Sequence, residues 1–190
     1  NEILIIDDGS NDGTSDLLSN CNFITCISNN QNKGKGVALR LGLLKAKYKA
    51  VVIFDGDFEI EPVEIRKLMI LDKKEKIECV FANRFDNGFL KYTVWDFGNY
   101  LFTKLFNFIH KSNVKDALCC AKAFYISNLE IGKLSGKRFD IDVEILSKLV
   151  KLKPRIKNIN VKYQRRDRKE GKKLKLKDSL GILLRIIYRN

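Results

Sequence analysis

Asp55-Gly56-Asp57 carries the chain's clearest chemical signal. An apolar run, Ala50 to Phe54, leads into it, and Phe58-Glu59-Ile60-Glu61-Pro62 follows. Five buried-type residues ahead of two carboxylates one residue apart read as a strand whose end presents acid groups. In an open α/β sheet, ligands bind at the carboxyl ends of the strands. Carboxylates this close repel each other unless a positive charge lies between them. A divalent cation suits the position, because such ions take one or two carboxylates together with phosphate oxygens. An exposed Asp-Gly turn has the same composition, so the rest of the chain must decide between a metal–phosphate site and a plain turn.

Other polar clusters share the pattern of a strand running into a charged loop. Residues 2–6 run into Asp7-Asp8-Gly9-Ser10-Asn11-Asp12-Gly13-Thr14, where Thr14 or Ser15 can cap a short helix. Lys33-Gly34-Lys35-Gly36 lacks the Gly-Lys-Ser/Thr ending of a Walker loop, yet it can bring N–H groups and lysines to a phosphate. Residues 77–82 end at Asn83-Arg84, and Asp116 precedes another apolar run. Asp140, Asp142 and Glu144 open a helix at residues 139–152, where the helix dipole by itself explains acids. Arg165, Arg166, Lys172 and Lys173 follow the last predicted strand. Arginine can bind phosphate through two parallel hydrogen bonds.

The elements that must hold these groups alternate. Strands are predicted at residues 2–6, 22–28, 50–54, 77–82, 117–126 and about 156–163. Helices are predicted at residues 37–48, from Pro62 to about 71, at 89–109 and 139–152, and at 180–188. This order predicts an α/β domain with a mostly parallel central sheet. The helix at 89–109 belongs to a stretch rich in Phe, Tyr and Trp and is apolar nearly all round, which predicts burial, with a lipid interface as the other option. The predicted packing stripe of the helix at 37–48 is Val37, Leu41 and Leu44.

At 190 residues the chain fits one domain, divided here into a main body, 1–163, and a basic loop with an amphipathic helix, 164–190, that belongs to the same domain. Five cysteines without metal-ligand spacing read as reduced thiols of a cytosolic protein, and the lone His110 as structural or surface. The net charge of +13 is uneven. Residues 148–190 hold 16 Lys and Arg against 3 Asp and Glu, while residues 1–147 are balanced. A basic block implies an anionic partner. A nucleic-acid module would explain it but leave the acidic pairs at Asp7-Asp8 and Asp55-Asp57 unaccounted for, so nucleic acid is not expected as a partner.

Taken in order, the motifs resemble those of the family 2 nucleotide-sugar glycosyltransferases of GT-A fold, and among them the polyprenyl- and dolichyl-phosphate sugar synthases. The resemblance rests on Glu2 to Thr14, Asn32 to Gly42, Asp55-Gly56-Asp57, Asn83-Arg84, Asp116 to Phe124, Phe139 to Leu146, and Tyr163 to Lys173 with Asp178. It implies a Rossmann-like GT-A fold whose usual first strand is missing ahead of residue 1, so the fragment alone is not expected to bind nucleotide normally.

The implied reaction is metal-dependent hexosyl transfer from a nucleotide-diphosphate sugar to an acceptor, with Mg or Mn as cofactor. The need is to stabilise the charge developing on the departing diphosphate. By resemblance, Asp57 carries the metal and Asp55 assists. Glu59 is either a further ligand or a structural neighbour. Asp7, Asp8, Lys35, Asp55 and Lys173 face the nucleotide, and Arg84, Arg166 and Lys173 face the phosphates, with Arg165 able to stand in for Arg166. Asp116 and Asp142 are the candidate bases for a hydroxyl acceptor such as a glycan. A polyprenyl phosphate needs no base. That acceptor places the protein at the cytoplasmic face of a membrane as a peripheral partner.

Overall fold

The computed structural model describes residues 2–85, 93–166 and 176–188. Strand β1 (Leu4–Asp7) leads through helix α1 (Thr14–Ser19) to β2 (Thr25–Ser28), which pairs with β1 in parallel. Helix α2 (Lys35–Lys45) then precedes β3 (Ala50–Ile53). A 3₁₀ turn at Pro62–Glu64 and the short α3 (Ile65–Leu68) precede β4 (Ile77–Asn83). Helix α4 (Val94–His110), β5 (Lys122–Tyr125), α5 (Asp140–Lys151), β6 (Arg155–Asn160) and α6 (Leu176–Ile187) complete the described elements.

The α/β class is as the sequence predicts, with one correction to the sheet. The larger sheet has the order β3-β5-β4-β6. β4 and β6 pair in parallel, while β5 lies between β3 and β4 and runs against both. Three of its four strands therefore point one way, but the pairings are mixed. A four-residue strand such as Lys122-Ala123-Phe124-Tyr125 carries no sign of its direction in its sequence, so alternation alone could not reveal the reversal. β1 and β2 form a separate parallel pair.

Alternation along β4 builds two cores. Cys79 and Phe81 face the larger one, where Phe106, Phe124, Ile141, Ile145, Leu149 and Ile186 join sheet, α4, α5 and α6. Val80 and Ala82 face the other, with Ile60, Leu68, Ala121, Ala123 and Val161.

The helices depart from expectation in instructive ways. α2 begins at Lys35 and buries Gly36 and Leu43, while Leu44, expected on the packed stripe, is exposed. Starting at Lys35 brings the N-terminus of the helix against residues 136–137, while Leu39 and Leu43 pack on the core. The helix expected after Pro62 is shortened to one 3₁₀ turn and one α turn, ending at Met69 outside helical geometry.

Helix α4 is capped by Thr93, whose Oγ1 accepts from the Asp96 N–H at 3.2 Å and donates to the Asp96 carboxylate at 2.8 Å. Its expected all-round burial is not found. Thr103 and Phe106 are buried, but Val94, Phe97, Leu101 and Phe108 are exposed on one stripe. Residues 89–92 of the aromatic stretch lie outside the described residues. Among the described residues, no helix is long and apolar enough to cross a membrane.

Candidate active site

The charged loops converge on one edge of the sheets. The carboxyl ends of β1, β3, β4 and β6 deliver Asp7 and Asp8, Asp55 and Asp57, Arg84, and Arg166 respectively. β5 is reversed, so its amino end contributes Cys119 and Cys120.

Asp7 is a loop former. Its carboxylate accepts from Ser10 Oγ at 2.5 Å, from the Ser10 N–H at 3.0 Å and from Ser15 Oγ. The Ser10 and Ser15 hydroxyls hold its carboxyl below the ordinary carboxylate range despite burial. Helix α1 gains no side-chain cap from Thr14, which donates instead to Asp12. Asp8 reaches across to the next loop and accepts from Asn29 Nδ2 (3.0 Å), the Lys33 N–H (3.0 Å) and the Gly34 N–H (2.7 Å). It therefore sets where α2 starts.

That start needs glycine. Gly34 has φ +93, and a Cβ there would lie 2.5 Å from the Lys137 carbonyl. A Cβ on Gly36 would lie 2.0 Å from the Gly136 carbonyl. The close approach lets the Gly36 N–H donate to Lys137 O at 3.0 Å and Arg40 Nη1 to Gly136 O at 2.6 Å. Between these glycines, Lys35 points inward. Its Nζ lies 2.7 Å from Asp55 Oδ2 and 2.8 Å from Asp142 Oδ2, with side chains 18%, 30% and 7% exposed. Burial disfavours the charged ammonium, but Asp142 and Asp55 outweigh it and push the Lys35 pKa well above its ordinary value.

Asp57, two residues on, faces a different cation. Arg166 Nη2 donates to Asp57 Oδ2 at 2.7 Å, and the Glu59 N–H donates to Asp57 Oδ1 at 3.1 Å. Phe58, between them, adopts φ 60 and leaves its ring exposed. Such a left-handed non-glycine residue costs about 1–2 kcal/mol.

Glu59 ties the segment after β6 to this loop. Its carboxylate accepts from the Arg166 N–H at 3.2 Å and from the Tyr163 hydroxyl at 3.3 Å, and its carbonyl accepts from Gln164 N–H at 2.8 Å. Arg165, the neighbour of Arg166, pairs instead with Asp96 at the N-terminus of α4.

Arg84 is not displayed to solvent. It grips Asp116 through Nε at 2.7 Å and Nη2 at 3.0 Å, and the Asp116 side chain is 0% exposed. Its guanidinium carbon lies 5.3 Å from the centre of the Tyr163 ring. Burial and hydroxyl–carboxylate contact raise the Tyr163 pKa to about 12, although Arg84 opposes the shift. Tyr163, which the sequence reading treats only as part of a motif, thus links the Arg84–Asp116 pair to Glu59.

Cys120 lies near Asp55 and Lys35, where its hydrogen bond to Cys119, burial and the Asp55 charge keep its thiol protonated. Glu144 is the clearest residue missed: its buried carboxylate accepts from the Gly136 N–H at 2.7 Å and from the Ser135 N–H. The expected phosphate ligand Lys173 lies outside the described residues.

Residues 1–132 match the family model described as "Glycosyl transferase family 2". The chain belongs to glycosyl transferase family 2. An undecaprenyl-phosphate 4-deoxy-4-formamido-L-arabinose transferase of Pectobacterium atrosepticum is 32% identical over 97 residues, covering 47% of this chain and 30% of that protein. An uncharacterized protein of Methanocaldococcus jannaschii is 30% identical over 92 residues, covering 44% of this chain and 40% of that one. The chain thus spans 30–40% of the length of these curated relatives. Glucosyl-3-phosphoglycerate synthase from Mycobacterium tuberculosis, solved with Mn2+, uridine-diphosphate-glucose and phosphoglyceric acid, aligns with a TM-score of 0.71 at 17% identity, covering 100% of this chain and 68% of that one. At that identity the likeness establishes the GT-A fold.

Proposed function

We propose that the chain carries the donor site of a metal-assisted glycosyltransferase. It moves a hexosyl group from a nucleotide-diphosphate sugar to a polyprenyl phosphate, dolichyl or undecaprenyl, at the cytoplasmic face of a membrane. One observation carries the choice of acceptor: both candidate bases are committed to internal cations. Asp116 is fully buried in its two-point grip on Arg84, and Asp142 is held by Lys35. A hydroxyl acceptor needs a base near neutrality, whereas a phosphate arrives as an anion. Committed acids favour the phosphate. The name of the Pectobacterium relative points the same way.

Asp57 and Asp55 fit a hard divalent cation. Both are partly exposed carboxylates on one short loop, and one oxygen of each is neutralised by a mobile-stemmed side chain. Such a pair suits an ion that completes its shell on phosphate oxygens. Asp57, with Asp55, would hold Mg or Mn, which when bound supplies charge neutralisation for the diphosphate. Arg166 stands where it can move from Asp57 to a phosphate oxygen while its backbone stays tied to Glu59. Asp8 keeps the Gly34 loop open toward the nucleotide, and Lys35 holds Asp55 in place.

Membrane contact is supported by the exposed apolar stripe of α4 and by that of α6, where Leu180, Leu184, Ile187 and Tyr188 face outward. The basic C-terminal block adds attraction to anionic lipid.

The test is a donor and acceptor screen on the full-length protein with Mn2+ or Mg2+, comparing polyprenyl phosphate with glycan hydroxyl acceptors. Transfer to polyprenyl phosphate that survives, weakened, in Asp142→Asn is the expected result. Transfer only to hydroxyls, abolished in Asp142→Asn, overturns the acceptor assignment in favour of glycan synthesis.

A further inference from the structure

Helix α6 is joined to the body by more than apolar packing. Ile182 and Ile186 are buried, and His110 of α4 contacts the Ile186 carbonyl at 3.1 Å. Arg185, 19% exposed, reaches down to three groups at once. Its Nη1 donates to Ser135 Oγ at 3.0 Å and to Glu144 Oε1 at 3.2 Å, and its Nη2 to Asp140 Oδ2 at 3.0 Å. A second ion pair, Arg138 Nε to Asp178 Oδ1 at 2.8 Å, holds the other end of α6.

The two pairs differ in what lies behind them. In one, the exposed Arg138 covers an Asp178 side chain that is 8% exposed. Glu144 is 2% exposed and also receives the N–H groups of Ser135 and Gly136. It therefore fixes the backbone of residues 135–137. That backbone is the surface on which the N-terminus of α2 rests, through Gly36 N–H to Lys137 O and Arg40 to Gly136 O. The gap is too tight to absorb a shift, since a single Cβ on Gly136 would lie 2.8 Å from Ile141 Cα. One residue before Gly36 stands Lys35, the cation between Asp55 and Asp142.

We propose that Arg185 and Glu144 are positioning residues, a strut through which the C-terminal helix sets the loop 135–137, the start of α2 and hence Lys35. Arg185 neutralises Glu144, and Glu144 orients two N–H groups. Holding Ser135 and Gly136 sets the Gly136 carbonyl and, next to it, the Lys137 carbonyl that the amino end of α2 requires. Only the last consequence, donor affinity, rests on the donor-site reading. A segment that belongs by sequence to the basic tail thus helps to shape the donor site more than 100 residues earlier in the chain.

The test compares hydrogen exchange in Arg185→Met, Arg185→Lys and Arg138→Met. The Arg138→Met variant loosens α6 without touching Glu144. The strut predicts that Arg185→Met raises exchange at the Gly36 and Gly136 amides about fivefold or more, that Arg138→Met leaves them within about twofold, and that Arg185→Lys restores most of the protection. It also predicts that Arg185→Met weakens binding of UDP or GDP with Mn2+ about fivefold, a size usual for coupling between sites. Faster exchange in α6 with Gly36 unchanged overturns the proposal, as does an equal effect of Arg185→Met and Arg138→Met on Gly36. Binding is read on the full-length protein; if its unmodified form binds neither nucleotide, the donor reading fails and the exchange comparison still decides the strut.

Discussion

Replacing Lys35 with Met removes one cation from between two carboxylates while keeping the length of the stem. With Nζ 2.7 and 2.8 Å from its partners, each pair has a Coulomb attraction of about 6 kcal/mol at an effective dielectric of ~20. Desolvation of the three groups offsets most of this, and deleting one partner of a buried pair costs roughly 3–5 kcal/mol net. Asp55 is 30% exposed and regains water, which places Lys35→Met near the lower end, about 3 kcal/mol. For a chain of this size that lowers Tm by about 6–12 °C.

The pH dependence follows from the sign of the shift. The folded-state pKa of Lys35 is raised. Its contribution is therefore fully present below the unfolded value of about 10.4 and is lost as pH rises through the higher folded value. Lys35→Met lacks that alkaline loss. Urea unfolding at pH 7 and pH 11 reads the deficit and its alkaline loss. A deficit under about 1 kcal/mol at pH 7, or one that does not shrink between pH 7 and pH 11, refutes the reasoning.

Two further outcomes bear on the rest of the site. Arg84→Met strands a fully buried Asp116 and is expected to cost roughly 3–5 kcal/mol, with Arg84→Met/Asp116→Leu recovering much of the loss in thermal melts. Additive losses in the double variant contradict the pairing. Burial raises the Cys79 thiol to about 12, so alkylation at pH 8 followed by peptide mass mapping is expected to label the partly exposed Cys21 and Cys26 first. Early labelling of Cys79 contradicts the packing of β4.

Much of the site was legible because each charged loop follows an apolar run, and a strand's carboxyl end is where such a loop must lie. Asp8, Asp55, Asp57 and Arg166 are all recognisable in this way. What stayed hidden has physical causes. Glu144 follows the two acids of the first helical turn, Asp140 and Asp142, which the dipole already explains, and only the three-dimensional approach of residues 135–137 reveals its buried donors. Which of Arg165 and Arg166 turns inward depends on the bridge between Ile60 and Tyr163, a contact between segments about 100 residues apart. Helix α4 misleads because it is apolar on both faces, and burial of one stripe cannot be told from burial of both by periodicity alone.

The central claim is that Asp57 and its loop hold a metal-bound nucleotide diphosphate. Calorimetric titration of the full-length protein and of its Asp57→Asn variant with UDP and GDP, with and without Mn2+, tests it most directly. Binding that requires Mn2+ and weakens about tenfold or more in Asp57→Asn, roughly 1.4 kcal/mol, is the predicted result. Binding of equal strength without metal and in Asp57→Asn contradicts the account.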